Sequence, residues 1–501
     1  MSPGTSPGTS PAASPRRTAL AVLLATATIG LAACGSQIAP ETVAAANGTA
    51  ASGGEVAQVD LAGAATTGGD TEGTAGADTG VDASSAGSGP TTADASSPDT
   101  ASGSTGGDRT ASGPGSDGGD APGAADCPGL ANQTGITADT ITIANISDIS
   151  GPVPGVFQSA QDATNAFAAF VNASGGVCGR KLDVLQLDSR ADSGANQVAY
   201  ARACDEAFAA VGSMSVFDQG ARTAGECGLP DIHALTVSPE AFECDTCFGA
   251  AAINPHLQIG AMAKYVLQRY GDAAQKAAVL YVNVNGVADA AKALGEAWKK
   301  AGVGIQYVQA IDVAEFNYAP YVQKLKDEGI KIVHYIGPYQ FTVRLQQAMQ
   351  QQQYTPTAFI QDQTIYDQKY VDEAGDVGNG TVVYGSTDLF TNKANAEMQR
   401  YLAWLQQVRP GAEPTPYGVY SWSAGRLFVD LVSKLGGRLT RASLVAALRQ
   451  VSQWTGHGLT AAQDVGGKRT GECIKVIQLN DGVWKQISPG DFYCAPSIPI
   501  G

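Results

Sequence analysis

Few residues in this chain have the type and spacing that catalysis requires. The 501 residues include four histidines, at positions 233, 256, 334 and 457, and no two stand at metal-ligand spacing. Residues 127–501 contain no Gly-x-Ser-x-Gly nucleophile motif, no Gly-x-x-x-x-Gly-Lys-Ser/Thr phosphate loop and no His-Glu-x-x-His metal motif. His233 and His334 fall inside predicted strands, where a core position is the usual role. We therefore predict that the protein is not an enzyme and has no metal site and no cofactor.

Hydroxyl groups, aromatic rings and one carboxylate stand where they could line a binding cleft. They lie at or beyond the ends of predicted strands, where parallel α/β sheets bind ligands. The candidates are the hydroxyls of Ser150, Ser213, Ser215 and Ser238, the rings of Phe157, Phe217, Tyr281, Tyr335, Tyr339 and Tyr366, and the carboxylate of Asp362. For each one the alternative is a structural role, either a hydroxyl that caps a helix or a ring in the core.

The elements that must position these residues begin with the segment 140–189. The β-branched run Thr140–Ile146 predicts a buried strand, and the prolines and glycines of 151–155 end it. Apolar residues at helical spacing between 163 and 171 predict a helix, and the alternation of 181–188 predicts a second strand. A strand, a helix and a strand joined by short loops form a right-handed parallel crossover.

The same alternation continues along the chain. Further strands are predicted at 209–212, 232–237, 248–253, 277–282, 330–336, 357–361 and 474–479, and further helices at 193–208, 254–270, 416–435 and 443–451. Asn254 and Pro255 have the residue types of an N-cap and a first helical position, so the helix after them is predicted to begin there. Two consecutive parallel series predict an α/β fold with two doubly wound lobes.

The first 34 residues have the composition of an export signal. Arg16 and Arg17 supply its positive region, 18–31 its apolar core, and Leu31-Ala32-Ala33-Cys34 its cleavage site. This ending resembles a bacterial lipobox, in which the cysteine receives a lipid. We therefore expect 1–33 to be a lipoprotein signal peptide and Cys34 to be the lipidation site, with an ordinary signal peptide as the alternative.

Residues 34–126 have the composition of a disordered tether. Between 35 and 126 there are thirteen acidic residues, one base (Arg109) and no aromatic residue, which gives a formal charge of −12 out of the chain's −16. Such a segment has too little apolar surface to offset its backbone entropy. As a flexible coil it would span about 50 to 60 Å. The acidic charge argues against a nucleic-acid partner.

Eight of the nine cysteines lie in 127–501, and an even number in an exported chain predicts disulfides. Sequence alone leaves every pairing open, but proximity favours Cys127–Cys178, Cys204–Cys227, Cys244–Cys247 and Cys473–Cys494. The third pair has the C-x-x-C spacing of redox and zinc sites. A strand-like segment follows it, where a redox site would open a helix, and no second ligand pair stands at zinc spacing. A small structural bridge is favoured, and the redox and zinc roles are the alternatives.

Several of these motifs together resemble the branched-chain amino-acid-type solute-binding proteins of ABC transporters. The similarity rests on the Ile-Thr-Ile strand at 141–143, Ser150-Gly151-Pro152, the run from Gly175 to Leu182, the Ser238-Pro239 element, and the Gly458-Leu459-Thr460 turn with the strand pair after it. It spans nearly all of 136–487. In place of the family's usual polar residue, position 178 is a cysteine.

The resemblance implies a type I periplasmic-binding-protein fold whose chain crosses between lobes about three times, near Asn254, Ser386 and Gly458. The expected lobes are 127–253 with 387–458, and 254–386 with 459–501. It also implies a monomeric, lipid-anchored protein on the outer face of the bacterial cytoplasmic membrane. That protein would close on a small solute by hinge rotation and deliver it to an ABC permease. A sensory clamp without a permease is the alternative.

The family's amino-acid contacts are only partly present. This chain has Val216-Phe217, Glu240-Ala241-Phe242 and Asn285-Gly286 at three ligand loops where the family has hydroxyls, small residues or Tyr-Gly. Asp362 falls where a carboxylate often meets the ligand's ammonium group. Replacing hydroxyls by hydrocarbon weakens the binding of a carboxylate and favours flat apolar surface. We therefore expect a small aromatic or partly apolar ligand rather than leucine, isoleucine or valine.

Overall fold

The computed structural model describes residues 127–152, 154–283 and 285–501. The predicted signal peptide 1–33, the lipidation site Cys34 and the tether 34–126 lie outside these residues. Among the described residues, no helix is both long and apolar enough to cross a membrane.

The first half of the described chain builds a five-stranded sheet. Its strands are parallel and stand in the order β2-β1-β3-β4-β5. They are β1 (Thr140–Ser147), β2 (Lys181–Asp188), β3 (Ala209–Val211), β4 (Asp231–Thr236) and β5 (Cys247–Ala252). The predicted crossover is present, because α1 (Gln158–Ala173) joins the paired strands β1 and β2.

Helices cover both faces of this sheet. They are α1, α2 (Ser193–Glu206), α3 (Gly220–Cys227), α4 (Pro239–Glu243), α10 (Ala396–Val408), α11 (Pro416–Leu435) and α12 (Arg441–Leu448). Ile141 and Ile143 of β1 pack with Phe167 of α1 and the helices α10–α12, whereas Ala144 packs with Tyr200 of α2 on the other face. The alternation arises because successive strand side chains point to opposite faces. This sheet and these helices are called lobe 1.

A second sheet follows in the chain. From one edge its parallel strands stand in the order β8-β7-β9-β10-β11, which matches the order of the first sheet, and two antiparallel strands extend the β11 edge. Its strands are β7 (Ala277–Val282), β8 (Ile305–Ile311), β9 (Ile332–Ile336), β10 (Ala358–Asp362), β11 (Val382–Gly385), β12 (Cys473–Asn480) and β13 (Val483–Gln486). Two short strands flank it, β14 (Tyr493–Cys494) on β12, and β15 (Ile498–Pro499), which pairs with β6 (Leu257–Gln258).

Helices also cover both faces of the second sheet. They are α5 (Gly260–Tyr270), α6 (Asn285–Lys300), α7 (Ala319–Asp327), α8 (Tyr339–Gln351) and α9 (Gln368–Ala374). Trp298 of α6 packs with Ile332 and Ile360 on one face, and Leu345 of α8 packs with Val333 on the other. This sheet and these helices are called lobe 2.

The chain passes between the lobes at three neighbouring places. The first passage is at Asn254, whose N–H donates to Thr470 Oγ1 at 2.7 Å. The second follows β11, where Asp388 N–H donates to the Leu459 carbonyl at 2.8 Å. The third passage lies at Thr470, just before β12. The hydrogen bonds between these segments hold the three passages side by side.

The third passage comes later than the predicted position near Gly458. Lys468 Nζ still donates to carbonyl oxygens of lobe 1, at 3.2 Å to Ala241, 3.1 Å to Phe242 and 2.5 Å to Cys244. The predicted boundary is therefore too early, because the loop after Gly458 returns to lobe 1 before the chain crosses.

The predicted helix start at Asn254 is wrong. Asn254 Oδ1 accepts from His256 N–H at 2.9 Å, so the residue closes a turn at the first passage rather than capping a helix. Residues 257–258 then pair with β15, and α5 begins only at Gly260. His256 consequently lies in the turn, outside the helix, and is exposed.

Four disulfides join the eight cysteines of the described chain. The pairs are Cys127–Cys178, Cys204–Cys227, Cys244–Cys247 and Cys473–Cys494, as proximity along the chain favours. Three of them lie in lobe 1. The last joins β12 to β14 and holds the C-terminal segment on lobe 2.

Candidate functional site

The parallel strands have the same order in both sheets, so each sheet has a candidate ligand-binding edge at the same place. In the orders β2-β1-β3 and β8-β7-β9 the chain reverses direction around the first strand of each lobe. Loops beyond the carboxyl ends of such strands diverge and leave a crevice. The candidate site therefore consists of the loops after β1, β3 and β4 in lobe 1 and after β7, β9 and β10 in lobe 2.

One buried carboxylate ties the lobe 1 loops together. Asp148, which follows β1, accepts hydrogen bonds from Ser189 Oγ at 2.6 Å, from Ala191 N–H at 2.8 Å and from Val216 N–H at 2.7 Å. A carboxylate that accepts several such bonds holds its partners firmly, because charge-assisted hydrogen bonds are the strong ones. The loops after β1, β2 and β3 therefore form one rigid wall, with Val216 and Phe217 exposed on it.

Three of the four predicted hydroxyls are used inside lobe 1. Ser213 Oγ accepts from Ile146 N–H at 3.1 Å, and Ser215 Oγ lies 2.9 Å from Ser189 Oγ. Ser238 Oγ donates to Asp218 at 2.6 Å and accepts from a backbone N–H in the first turn of α4. All three residues are buried, so the structural alternative that the sequence left open describes them better than ligand contact.

Ser150 is the predicted hydroxyl that stays exposed. Its Oγ donates to Asp188 Oδ2 at 2.5 Å, and Asp188 Oδ1 accepts from the backbone N–H groups of Ile149 and Ser150. The carboxylate at the end of β2 therefore fixes the loop after β1 in place. Ser150 lies at the opening of the crevice, with its hydroxyl already paired.

The predicted rings divide into a core set and a rim set. Tyr335 and Tyr281 are buried, and Tyr335 belongs to the lobe 2 core with Leu280 and Val333. Tyr366 is buried as well, and its ring stacks on Phe390 with centroids 4.2 Å apart. These three rings therefore have structural roles.

The rim set consists of Phe217 and Tyr339, and Phe157 joins it only through its contact with the half-buried Tyr417. Phe217 is exposed, and Tyr339 is half-buried at the first turn of α8. Phe157 is buried and packs edge-on against Tyr417, with centroids 5.0 Å apart. The edge-on pair presents one aromatic wall of the crevice.

Asp362, at the carboxyl end of β10, is half-buried and faces lobe 1. It accepts from Thr364 N–H at 2.8 Å. Burial raises the pKa of its carboxyl above the ordinary value, although the hydrogen bonds from Thr364 act to lower it. The same carboxylate contributes to the raised pKa values of Tyr384, Tyr417 and Tyr420. No salt-bridge partner of Asp362 occurs among the described residues.

Two tyrosines at the start of α11 join the lobes beside Asp362, and the sequence reasoning missed both. Tyr417 Oη lies 3.4 Å from Thr364 Oγ1. Tyr420 Oη donates to Gln363 Oε1 at 2.7 Å and lies 2.7 Å from Ser386 Oγ in the second passage. Burial raises the pKa of Tyr420 to about 12, so its phenol stays protonated and can donate.

A local signal for these tyrosines was available. Thr415 caps α11 by accepting from Gly418 N–H, and Pro416 opens the helix. Residues 417 and 420 are three apart at the start of this helix, so they lie on one face of it. What the sequence does not show is that this face meets Gln363 and Thr364 of lobe 2.

The arrangement can hold a flat molecule and accept a hydrogen bond from it. Phe157, Tyr417 and Phe217 supply ring faces and edges, and Asp362 supplies an acceptor without a salt-bridge partner. Among the described residues, one group could in addition supply metal ligands, formed by Asp231, His233 and Cys247. It is buried inside lobe 1 and belongs to no loop of the crevice.

A two-lobed α/β clamp with its site between the strand ends is the architecture of a periplasmic binding protein. The model of the family described as periplasmic binding protein matches residues 140–483, which is more than half of the chain. The chain therefore belongs to the periplasmic binding protein family and has its type I fold. No curated protein matches it.

Solved structures show the same fold. The substrate-binding protein LivJ of Streptococcus pneumoniae, in complex with isoleucine, is 15% identical with a TM-score of 0.60, over 72% of this chain and 100% of that one. A solute-binding protein of R. palustris, in complex with 4-hydroxybenzoate, is 17% identical with a TM-score of 0.58, over 72% and 98%. A fatty acid ABC transporter substrate-binding protein of Thermomonospora curvata is 14% identical with a TM-score of 0.61, over 73% and 95%.

Proposed function

We propose that this chain is a lipid-anchored extracytoplasmic binding protein that captures a small solute between its lobes and passes it to an ABC permease. The family and the matched structures support a solute-binding role, and the lipobox-like Leu31–Cys34 supports the anchor. The observation that carries the proposal is Asp362. A half-buried carboxylate without a salt-bridge partner, bordered by aromatic rings from the opposite lobe, is costly to keep unless a ligand uses it.

The ligand that fits best is a small aromatic molecule with a hydroxyl or amine donor. Val216 and Phe217 offer hydrocarbon where an amino-acid binder offers hydroxyls, and Ser213, Ser215 and Ser238 are engaged inside lobe 1. A ligand carboxylate in that place would be buried without donors, at a cost of about 1 to 3 kcal/mol per unmade hydrogen bond. Asp362 then accepts the ligand's donor, and the edge-on pair of Phe157 and Tyr417 contacts its ring.

Calorimetric titration with matched compounds tests this assignment. We expect an uncharged phenol such as 4-methylphenol to bind more tightly than isoleucine or a medium-chain fatty acid. Asp362→Asn should weaken the phenol about tenfold, which corresponds to the loss of one hydrogen bond to a charged group. The same change should leave 4-methylanisole, in which a methyl group replaces the phenol proton, nearly unaffected. Asp376→Asn, at an exposed acid of lobe 2, is the matched control.

Two outcomes would contradict the ligand assignment. Tight binding of isoleucine with no binding of any phenol would exclude the aromatic class and leave the solute-binding role intact. An equal loss in Asp362→Asn and Asp376→Asn would show that Asp362 makes no special contact. Failure of every small molecule, including those that co-purify from native extract, would count against the solute-binding role itself.

The anchor is tested separately by Cys34→Ala. Since the lipid is attached through the thiol, the variant should remain unprocessed or be released from membranes. Fractionation of the producing cells, followed by mass measurement of the N-terminus, distinguishes these forms. Mature variant protein in the membrane fraction, as for the wild type, would refute the lipobox assignment.

A further inference from the structure

The C-x-x-C pair of lobe 1 lies against two other metal-ligand residues that the sequence separates from it. Cys247 of β5 stands directly opposite Asp231 of β4 in the parallel register. His233 is two residues further along β4 and points to the same face, because strand side chains alternate. Strand pairing thus brings a carboxylate, an imidazole and a sulfur together on one face of the sheet. None of these neighbours stands at zinc spacing along the chain, so sequence alone does not show them.

The potential ligand atoms of this cluster lie slightly farther apart than the ligands of a bound metal ion. One potential ligand atom from each of Asp231, His233 and Cys247 lies within 4.8 Å of the other two. All three residues are at most 1% exposed. Carboxylate oxygen, imidazole nitrogen and thiolate sulfur are the ligands of zinc, at about 2.0 to 2.3 Å from the metal. A contraction of about 1 Å would bring the three atoms to that distance.

The cluster also contains buried acceptors without donors. Asp231 Oδ2 accepts from Tyr200 Oη at 2.7 Å and lies 2.9 Å from His233 Nε2, but Asp231 Oδ1 has no hydrogen-bond partner. Asp218, whose charge acts on His233, has a second unpaired oxygen, Oδ1. Both residues are at most 3% exposed. Buried carboxylate oxygens without partners are costly, and a cation placed between them removes that cost.

The disulfide decides whether the sulfur can take part. Cys247 Sγ is bonded to Cys244 Sγ, and a disulfide sulfur is not the thiolate that binds metal. The loop between the two cysteines is at the surface, with the Asp245 side chain 93% exposed. Opening this loop therefore gives both the ligand and a path for an ion to reach it.

We propose that reduction of the Cys244–Cys247 disulfide converts this cluster into a zinc site. Cys247, His233 and Asp231 are its three required ligands, and the fourth position is taken by Cys244, or by a water molecule where Cys244 is replaced. Lys468 Nζ, at 2.5 Å from the Cys244 carbonyl oxygen, places one positive charge nearby. Two thiolates and the carboxylates of Asp231 and Asp218 outweigh it.

The reduction step balances with an external dithiol as the reductant. The dithiol is oxidised to its own disulfide and gives up two electrons, which break the S–S bond between Cys244 and Cys247. Each cysteine sulfur takes up one proton. Zn²⁺ then displaces the thiol protons and any proton on the coordinating nitrogen of His233 to water, since deprotonated ligands bind the metal.

The variant Cys244→Ser tests the site without any reductant. It leaves Cys247 as a thiol inside the cluster while the other three disulfides remain closed. The bridge it removes closes the smallest loop of the four, so it is the one whose loss costs least stability. We expect Cys244→Ser to bind about one equivalent of Zn²⁺ and wild type to bind none. With Co²⁺ the variant should show the near-ultraviolet absorption of a thiolate–cobalt bond.

Two controls separate the cluster from a free thiol in general. Cys204→Ser frees Cys227 in the same lobe, next to a helix carbonyl and outside the one potential metal-ligand group of the described residues, and should bind no Zn²⁺. Cys244→Ser combined with Cys247→Ser removes the sulfur and should bind none. Equal uptake by Cys204→Ser, or equal uptake by the double variant, overturns the proposal.

A second measurement covers the case in which Cys244→Ser does not fold. Wild type fully reduced by a phosphine should bind one more equivalent of Zn²⁺ than the equally reduced variant that carries serine at both 244 and 247. Adding His233→Gln to the fully reduced wild type should abolish that extra equivalent. If reduced wild type and reduced double variant bind the same amount, the proposal is wrong.

Discussion

Each lobe carries one histidine in the middle of a central strand, and the two have opposite environments. His233 lies in β4 of lobe 1 and His334 in β9 of lobe 2, and both are buried. His233 is 2.9 Å from the carboxylate of Asp231 and also feels Asp218. His334 is 3.2 Å from Tyr384 Oη and meets the edge of Trp298, with ring centroids 5.2 Å apart.

These surroundings give the two imidazoles different charges at neutral pH, one positive and one neutral. Burial alone would lower the pKa of His233, but the carboxylates of Asp231 and Asp218 outweigh it and raise that pKa to about 9. Burial without such carboxylates lowers the pKa of His334 to about 3. His233 is therefore an imidazolium in an ion cluster, whereas His334 is a neutral core side chain.

The difference goes back to one position on each strand. Asp231 stands two residues before His233, on the same face of its strand. Ile332 stands at the corresponding position before His334. Lobe 1 thus has a charged interior beneath its sheet, and lobe 2 has an apolar one with Trp298 and Ile360. The charge of each buried histidine here therefore follows the residue two places before it on the same strand, with Asp218 acting in addition on His233.

The largest expected effect comes from removing the imidazolium. His233→Gln leaves the buried carboxylates of Asp231 and Asp218 without their counter-charge, and breaking a buried ion pair in this way costs about 3 to 5 kcal/mol. The matched change His334→Gln removes one hydrogen bond and ring contacts, and should cost about 1 to 2 kcal/mol. Urea unfolding at pH 7 gives both values. Equal losses would show that the charge of lobe 1 does not matter to its stability.

The disulfides extend the comparison, because lobe 1 has three and lobe 2 has one. Opening Cys127–Cys178 by serine at both positions frees a loop with a sequence separation of 51 and should cost about 4 kcal/mol in the chain-entropy model. Opening Cys473–Cys494, with a separation of 21, should cost about 3 kcal/mol. Thermal unfolding of the two double variants ranks them. A larger loss from the lobe 2 bridge would reverse the expected order.

The smallest expected effect is the acid response of His334. Its folded pKa of about 3 lies below the unfolded value of about 6.5, so the unfolded chain binds a proton first as the pH falls. This histidine therefore stabilises the protein fully above pH 6.5, and that stability is lost progressively down to about pH 3. Between pH 6.5 and 5 the loss should be about 2 kcal/mol.

His334→Phe isolates that contribution, since carboxylates also titrate in acid. As the pH falls from 6.5 to 5, the wild type should lose about 2 kcal/mol of unfolding free energy that the variant does not lose. A difference that is independent of pH from 6.5 to 5 would mean that His334 is not neutral in the folded state.

Much of the fold could be predicted from local pattern. The strand of 277–282 and the helix of 416–435 have the predicted bounds, because apolar periodicity and caps act within a few residues of each position. The prediction at Asn254 was wrong for a tertiary reason. Its cap-like side chain closes a turn, since the C-terminal strand β15 pairs with the next residues. A partner some 240 residues away outweighed a local signal worth about 1 kcal/mol.

The candidate site depends more than the fold on contacts that the sequence does not show. The sequence placed Ser238 and Asp362 at or beyond strand ends, and in the structure Ser238 follows β4 by two residues while Asp362 is the last residue of β10. It could not show that Ser238 donates to Asp218 while Asp362 lacks a salt-bridge partner, because the two loops that decide this come from different strands. Tyr417 and Tyr420 were missed because their roles depend on contacts with lobe 2.

The sequence by itself determined the α/β alternation and the family, and proximity along the chain favoured the disulfide pairs, because each depends on residues close in the chain. Tertiary structure alone decided where the lobes meet, which hydroxyls remain for a ligand, and that Cys247 lies against Asp231 and His233. The physical reason is the distance along the chain over which each effect acts. Periodicity, caps and turns act over a few residues, whereas a site is assembled by packing between segments that the chain holds far apart.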